Sequence, residues 1–416
     1  MPNTYNTYLS IGEKLDKNKY IFASFHLGSE GQPFDRTAGG VAAESSVGTW
    51  TDVFLQTKTS WDNLHAKVIE KDESSGFLKI AYPLDLFEAG NIPQLLSSIA
   101  GNIFGLLEIS ALRLEDIDFP EEYIKAFPGP ALGITGVRNM AGVKEMPLLG
   151  SIIKPKLGLS SKDHIDAAMA VYDGGVNLVK DDENLTSQIY NNFYDRVREG
   201  TTRMKEKGYL GKGNEKIYAY NITASYEEMQ KRAEFVVENG GNCHMIDILT
   251  AGFAAVCGMR NKNYGKMIHA HRAMHAAFTR SKQYGISMLV LAKLSRLAGV
   301  DSLHTGTVVG KMEGGKEEVT KIDNFLRAEW YGLKTVLPVA SGGLHPGHLP
   351  DVVKILGNDL LINFGGGIHG HPEGTYKGAI AAVQAREAVS QGIRLDEYAK
   401  NHFELAKALE KWGNGN

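Results

Sequence analysis

The chain has 416 residues, of which 43% are hydrophobic and 22% are charged, and its formal net charge is −3 at pH 7. The length predicts two domains, and the composition is ordinary for a globular enzyme. The basic residues form no stripe and no apolar run reaches about 20 residues, so we expect neither nucleic-acid binding nor a membrane span. The N-terminus lacks signal-peptide features, and Cys243 and Cys257 belong to no His/Cys cluster. We therefore expect a cytoplasmic protein without a zinc site or a disulfide framework.

The first part of the chain predicts a small α+β domain over residues 1–128. Residues 20–25 and 78–82 have the apolar pattern of strands, and residues 92–100 predict a helix with proline in its first turn. These elements mix without strict alternation, which favours an α+β arrangement. A Phe-Pro-Gly-Pro run at residues 127–130 marks the end of the domain.

A larger domain is expected over residues 129–416, where strand-like runs alternate with helical patterns such as residues 161–172 and 226–238. The runs are residues 148–154, 176–180, 217–222, 244–249, 267–271, 302–305, 336–341 and 360–364. Eight βα units of this size predict a closed (β/α)₈ TIM barrel, and an open doubly wound sheet is the alternative. In such a barrel the carboxyl ends of the strands form one mouth, where active sites lie.

The second of these strands ends in Lys180-Asp181-Asp182-Glu183. Alternation along the strand places Lys180 and Asp182 on one face, and Glu183 can join them in the following loop. Two carboxylates suit Mg²⁺. An ammonium group would repel the metal, so Lys180 fits only if its amine is neutral or is converted to an acid. The alternative is a strand capped by a solvated acidic turn.

Six further motifs surround this one in a fixed order. They are AAESSVGTWT at 42–51, GSIIKPKLGL at 150–159, HRAMH at 271–275, LHTGTVVGKMEG at 303–314, SGGLHPG at 341–347 and FGGGIHGHP at 364–372. Together they resemble the large chain of ribulose-1,5-bisphosphate carboxylase/oxygenase (RuBisCO) from about Ala42 to about Trp412. The resemblance implies carboxylation and oxygenation of ribulose 1,5-bisphosphate, with 3-phosphoglycerate as the product of carboxylation.

The resemblance also implies that Lys180 reacts with CO₂ to form a carbamate, which would bind Mg²⁺ together with Asp182 and Glu183. Only a neutral amine can react in this way. Burial or a nearby cation would lower the lysine pKa, and Lys154 and Lys156 are candidates for that cation. Lys180 itself is expected to face a solvent-filled barrel mouth.

Further roles follow from the same resemblance. Lys154 would handle the proton at the carbanion in the last step, supported by the charge of Lys156, and His271 would contact sugar hydroxyls and relay protons. The glycine-rich loop after the sixth strand would close over the substrate, with Lys311 stabilising CO₂ as it becomes a carboxylate and Glu44 as its partner. Without the resemblance, these residues could equally be exposed lysines, a packed histidine and a mobile loop.

Two phosphate sites are implied at the barrel mouth. Arg272 and His304 would hold one phosphate, since arginine binds phosphate through two hydrogen bonds. The second site and a contact to a sugar hydroxyl would use the glycine-rich turns after the last two strands together with the small domain. These residues are Ser341, Gly342, Gly343, Gly365, Gly366, Thr49 and Trp50, and Asn102 is a further substrate-binding residue of the small domain. In the family, the small domain of one subunit covers the barrel of its partner, so a homodimer or an assembly of dimers with shared active sites is implied.

The short C-terminal tail points to an archaeal, form-III-like member without small subunits, of the kind associated with nucleotide (AMP) salvage. Some RuBisCO-like proteins are instead enolases or isomerases of methylthio sugar phosphates, and these usually lose part of the residue set above. In this chain every position of that set carries the carboxylase type. A further alternative is a non-enzymatic scaffold that binds a sugar phosphate. Such a protein would have no need of the catalytic residues named above, all of which are present in this chain.

Overall fold

The computed structural model describes residues 5–29, 31–49, 51, 54–211, 213–309 and 315–415. Trp50 and Lys311, both predicted to act at the active site, lie outside these described residues. The chain divides into two compact units, one of residues 1–128 and 274–297 and the other of residues 129–273 and 298–416. No helix in the described ranges is both long and apolar enough to cross a membrane.

The first unit is a five-stranded sheet with helices, as the predicted α+β domain requires. Its strands are β1 (Tyr20–Ser29), β2 (Lys67–Asp72), β3 (Phe77–Pro83), β4 (Ile109–Asp118) and β10 (Tyr284–Ile286), in the spatial order β10-β4-β1-β3-β2. Its helices are α1 (Phe34–Glu44), α2 (Lys58–Leu64), α3 (Ile92–Ile99), α4 (Glu121–Lys125), α11 (Ala276–Thr279) and α12 (Met288–Ala298). The predicted strands at 20–25 and 78–82 and the helix at 92–100 are confirmed. Strand β10 comes from far along the chain and pairs in parallel with β4.

The second unit contains a closed eight-stranded parallel barrel, so the predicted TIM barrel is confirmed and the open sheet is wrong. Its strands are β5 (Leu148–Ile152), β6 (Leu178–Lys180), β7 (Ile217–Asn221), β8 (Cys243–Asp247), β9 (Met267–His271), β11 (Ser302–Gly306), β12 (Leu337–Ser341) and β13 (Leu361–Phe364). Every strand end lies within two residues of its predicted position.

Helices alternate with most of these strands. They are α5 (Gly133–Ala141), α6 (Ser161–Asp173), α7 (Phe193–Glu206), α8 (Tyr226–Glu238), α9 (Ile248–Ala251), α10 (Phe253–Asn261), α13 (Lys316–Arg327), α14 (Leu349–Leu356), α15 (Gly366–His369), α16 (Thr375–Ser390), α17 (Leu395–Tyr398) and α18 (Phe403–Trp412). Two of them, α6 and α7, begin at a side-chain cap. Ser160 accepts a hydrogen bond from the Asp163 amide at the start of α6, and Asn192 accepts from the amides of Tyr194 and Asp195 at the start of α7.

The two ends of the barrel differ in chemistry. At the amino end, Ile134, Val137 and Ala141 of α5 pack against the first residues of seven strands in a continuous apolar cluster. Those strand residues are Leu148, Leu178, Ile217, Cys243, Met267, Leu337 and Leu361. The interior of the amino end is therefore a hydrophobic core, whereas the predicted site residues of the barrel lie at the carboxyl end.

Asp301, fully buried before β11, fastens α5 to the amino end. One carboxylate oxygen accepts from the amides of Leu132 and Gly133 at 2.6 and 3.1 Å, where α5 begins. The other accepts from the amide of Ile268 at 2.9 Å and from the guanidinium of Arg260 at 2.5 Å. All these contacts satisfy a buried charge, which would otherwise be costly.

Candidate active site

The carboxyl ends of the strands bring the predicted site residues of the barrel to one mouth. In the strand register, Ile152 of β5 pairs with Lys180 of β6, and Asp247 of β8 pairs with His271 of β9. Ser341 of β12 pairs with a residue of β13 that precedes the Gly365 turn. Residues that are separated by up to about 200 positions in the chain therefore share one surface because the strands are parallel.

Lys180 is fully buried, so the expectation that it faces solvent is wrong. Its amine donates to the backbone carbonyl of Asp181 at 2.8 Å and lies 3.6 Å from a carboxylate oxygen of Glu183. Burial lowers the pKa of Lys180, while the surrounding carboxylates pull it in the opposite direction. The lowered pKa of Lys180 is therefore caused by burial and not by a neighbouring cation. Lys156, one predicted source, is exposed.

Asp182 and Glu183 are held as carboxylates beside this amine. Asp182 is fully buried and accepts from the amine of Lys154 at 2.9 Å and from Asn184 at 3.1 and 3.0 Å. Burial alone would raise the pKa of both acids. For Asp182, the bonds from Asn184 and Lys154 outweigh burial, and for Glu183 the charges of His271 and Lys180 do so, so both pKa values are lowered. The pair is thus ready to act as anionic oxygen ligands.

Asp181 points away from this pair into a buried polar network. Its Oδ2 accepts from Arg196 Nε and Nη2 at 3.2 and 3.1 Å and from the Asn221 amide at 2.9 Å. Its Oδ1 accepts from the Tyr218 hydroxyl at 2.9 Å and lies 3.3 Å from His164 Nε2. Burial would raise the pKa of Asp181, but Arg196 and His164 hold it well below its usual range. This network anchors the end of β6, so that the residues on either side of Asp181 are directed into the mouth.

We expect Arg196→Met to lower the free energy of unfolding by about 3–5 kcal/mol, because it leaves Asp181 as a buried charge without its partner. The measurement is the urea midpoint of purified variants. Arg198→Met is the matched control: Arg198 lies on the same helix, 2.8 Å from Asp195 in an exposed pair, and should cost less than about 1 kcal/mol. Equal shifts for the two variants would rule out a special contribution from the buried pair.

Asp247 also lies at the mouth, although it was not among the site residues predicted from the sequence. It lies within the predicted strand 244–249. Its Oδ1 is buried without a hydrogen bond among the described residues and lies 3.3 Å from His271 Nδ1. The other ring nitrogen of His271 lies 3.6 Å from Glu183. A carboxylate in this position stabilises positive charge on the ring whenever His271 takes up a proton. The available signal was an aspartate at the end of a barrel strand.

We therefore expect Asp247→Asn to lower kcat by about ten- to a hundredfold, which corresponds to roughly 1.4–2.7 kcal/mol of lost charge stabilisation at His271. KM for the sugar substrate should change little, because Asp247 acts through His271 and does not hold the ligand. Steady-state kinetics and a thermal unfolding curve on the same preparation check this. An unchanged kcat in a normally folded variant would show that Asp247 does not assist His271.

Arg272, His304 and Ser341 lie together at the ends of β9, β11 and β12. Burial lowers the pKa of Arg272 to about 10, so the guanidinium stays cationic at neutral pH. Gly306 has φ +108°, and a Cβ there would lie 2.7 Å from Nη2 of Arg272. Glycine is thus required at the end of β11, where the backbone passes close to the arginine. His304 is buried and contacts Ser341 through Nδ1 at 2.8 Å.

The predicted glycine turns follow β12 and β13. Gly342 and Gly343 have φ of +120° and +66°, a region in which other residues are strained. A Cβ on Gly365 would lie 3.3 Å from Cε of Lys154, so this lysine passes closely over the glycine backbone. Gly366 is exposed and begins α15. These turns expose backbone at the mouth, as a phosphate site needs, and the phosphate role itself stays a prediction.

The remaining predicted residues belong to the first unit. Glu44 is the last residue of α1 and is half-buried, as is Thr49. Asn102 is exposed and begins a short 3₁₀ turn. Their roles toward a ligand stay predictions.

The part of the chain that the structure describes holds no group of three His, Cys, Asp or Glu side chains suited to a metal ion. Asp182 and Glu183 supply two carboxylates; the amine of Lys154 lies 2.9 Å from Asp182, and the buried amine of Lys180 lies 3.6 Å from Glu183. The donor set fits Mg²⁺ if this buried amine becomes an oxygen ligand.

The sequence was compared with known families and proteins. The model of the ribulose bisphosphate carboxylase large chain, catalytic domain, matches residues 133–412, and that of the N-terminal domain matches residues 12–123. A ribulose bisphosphate carboxylase of Methanocaldococcus jannaschii is 48% identical over 404 residues, which cover 92% of this chain and 95% of that protein. One of Pyrococcus furiosus is 46% identical over 397 residues, covering 94% of each.

The solved structures that the chain resembles are also ribulose bisphosphate carboxylases. Octameric RuBisCO of Pyrococcus horikoshii OT3, in complex with sulfate, has a TM-score of 0.95 at 42% identity, with 99% of this chain and 98% of that chain covered. Dimeric archaeal RuBisCO of Hyperthermus butylicus has a TM-score of 0.92 at 42% identity, with 99% and 100% covered. The two-unit fold, the order of the motifs and these relatives lead to one conclusion: the chain belongs to the ribulose bisphosphate carboxylase large-chain family.

Proposed function

We propose that this chain carboxylates ribulose 1,5-bisphosphate to two molecules of 3-phosphoglycerate and also oxygenates it. The observation that carries the proposal is the buried Lys180 amine, 3.6 Å from Glu183 and on the same side of the strand end as Asp182. A buried amine with a lowered pKa is the form of lysine that reacts with CO₂. The names of the relatives support the same activity, and the RuBisCO-like enolase or isomerase reading is not favoured.

The carbamate of Lys180, Asp182 and Glu183 would hold Mg²⁺. When bound, Mg²⁺ supplies Lewis-acid polarisation of the sugar oxygens and stabilises negative charge that develops on them. The fit rests on charge: the carbamate replaces a cation with an anion, and both carboxylates are already ionised through their lowered pKa values. The ammonium form of Lys180 would instead repel the metal.

We assign removal of the C3 proton of the sugar to the carbamylated Lys180. The resulting enediolate attacks CO₂ at C2, water adds at C3, and the C2–C3 bond then breaks. Lys154, whose amine lies 2.9 Å from Asp182, would give a proton to the carbanion left on C2. His271, with Nε2 3.6 Å from Glu183, would move protons of the sugar hydroxyls.

The two phosphates would sit on either side of this centre. Arg272 supports one site, because its buried guanidinium stays cationic. The low dielectric of its surroundings strengthens the attraction between this charge and a phosphate. The glycine turns at 342–343 and 365–366 support the other through backbone N–H groups. Glu44, Thr49, Trp50 and Asn102 would complete the site from a partner subunit.

A homodimer with shared sites is therefore the proposed minimal unit, alone or within a larger assembly. Dimeric and octameric states appear among the archaeal relatives. The archaeal relatives support the form-III-like assignment, and the role in nucleotide (AMP) salvage is proposed from the resemblance alone.

The test is fixation of ¹⁴CO₂ into acid-stable product with ribulose 1,5-bisphosphate, after preincubation with bicarbonate and Mg²⁺. The proposal requires fixation that depends on both components of the preincubation. A methylthio-ribulose phosphate is the comparison substrate. Turnover of that compound without any CO₂ fixation would replace the carboxylase by the enolase or isomerase alternative.

A further inference from the structure

Four side chains on adjacent barrel strands form a continuous hydrogen-bonded chain that ends at the mouth. Ser302 Oγ lies 2.8 Å from His269 Nδ1, and His269 Nε2 lies 2.9 Å from His304 Nε2. His304 Nδ1 in turn lies 2.8 Å from Ser341 Oγ. Ser302 and His269 are fully buried and His304 is 2% exposed, whereas Ser341 is half-buried at the mouth. His269 and Ser302 were not among the residues singled out from the sequence.

The contact between two Nε2 atoms restricts where the protons can be. A neutral imidazole carries one N–H, so one ring must donate through Nε2 and the other must accept. Burial lowers the pKa of both His269 and His304 well below the usual value, so both rings are neutral. The hydrogen bonds that link Ser302, His269, His304 and Ser341 then have only two arrangements. Either every shared proton is donated in the direction of Ser341, or every one is donated in the direction of Ser302.

Ser302 decides between the two arrangements. Within the described residues, its hydroxyl has one side-chain or backbone partner, His269. If the protons point toward Ser302, its oxygen accepts from His269 and its own O–H has no acceptor, which is costly for a buried group. If they point toward Ser341, the Ser302 hydroxyl donates to His269 Nδ1, and the only proton without an acceptor among the four side chains is that of Ser341, which is half-buried at the mouth.

We propose that His269 is a positioning residue that, through His304, turns the hydroxyl proton of Ser341 into the mouth as a donor to the ligand. In this arrangement His269 donates from Nε2 to His304, and His304 donates from Nδ1 to Ser341 Oγ. Ser341 then accepts on its oxygen, so its own proton is directed at an acceptor oxygen of the sugar or phosphate. Which ligand receives the bond rests on the proposed function, but the proton positions do not.

Neutron diffraction from perdeuterated crystals without ligand tests the proton positions directly. We expect deuterium on Nε2 of His269, on Nδ1 of His304 and on Ser302 Oγ along the line to His269. Deuterium on Nδ1 of His269 and Nε2 of His304 would overturn the proposal. This result needs no turnover, so it stands apart from a failure of the carboxylase assignment.

Kinetics of two Ser302 variants test the consequence for the ligand. Ser302→Ala removes the group that selects the arrangement and should lower kcat/KM about fivefold, the effect of about one neutral hydrogen bond. Ser302→Thr keeps a hydroxyl and should recover most of that loss. His244→Gln is the control. His244 is also buried, on β8, but it takes no part in the hydrogen-bonded series from Ser302 to Ser341, so this variant should leave kcat/KM unchanged. A normal kcat/KM in Ser302→Ala, or no recovery in Ser302→Thr, would contradict the role of His269.

Discussion

Replacing Lys180 by alanine should reduce carboxylation by at least about 10⁴-fold, the scale on which enzymes lose activity when a group that starts the reaction is removed. The change takes away the amine that reacts with CO₂, and with it one proposed ligand of Mg²⁺ and the proposed base. Because Lys180 is fully buried, alanine also leaves a cavity. Lys180→Met fills most of that space without an amine, so it should be equally inactive and more stable.

The chain offers a matched control in Lys216. Burial lowers the pKa of this lysine to about 8, yet it precedes β7 and lies toward the amino end of the barrel, whereas Lys180 ends β6. Lys216→Met should keep near-normal ¹⁴CO₂ fixation. Normal turnover in Lys180→Met would exclude the carbamate, and equal loss in both variants would mean that the effect is not specific to the mouth.

The second large effect is expected for Lys311, which lies outside the described residues in the loop predicted to act as a lid. By resemblance it acts only after the enediolate forms, when negative charge builds on the added CO₂. Lys311→Ala should therefore still exchange the C3 proton of ribulose bisphosphate with solvent. Carboxylation should fall by about 10²–10³, the cost of one lost charge-stabilising donor. Tritium wash-in, measured beside ¹⁴CO₂ fixation, separates the two steps.

Lys180→Met is the comparison in this experiment, since it should lose both reactions. If Lys311→Ala lost proton exchange as completely as Lys180→Met, Lys311 would be needed for binding or enolisation. Its assignment to the CO₂ step would then be abandoned.

Much of the fold was predictable because it depends on local patterns. Each barrel strand is a short, mainly apolar run, six of the eight end in a polar or glycine residue, and the runs recur at near-regular intervals. The Lys180-Asp181-Asp182-Glu183 motif was informative for the same reason, since its chemistry lies in consecutive residues. Strand β10 was not predictable: its three residues pair with β4, which lies about 170 positions earlier in the chain.

The supporting residues of the site escaped prediction because their partners are distant in sequence. Asp181 contacts Arg196 on the following helix, Asp247 contacts His271 on the next strand, and His269 contacts His304 on the neighbouring barrel strand β11. None of these pairs has a distinctive spacing. The burial of Lys180 was not predictable from the sequence either, because lysine side chains are usually exposed. Lys180 is buried only because the surrounding residues of the closed barrel exclude solvent from it.

The most direct test of the central claim is to find where CO₂ is bound before any sugar is added. The protein is incubated with ¹³C-labelled bicarbonate and Mg²⁺, carbamates are trapped with a trialkyloxonium salt, and the peptides are analysed by mass spectrometry. We predict a Mg²⁺-dependent label on the peptide carrying Lys180, and none on the peptide carrying Lys216. An enzyme that fixes CO₂ but carries no label on Lys180, or carries it on another lysine, would contradict the account.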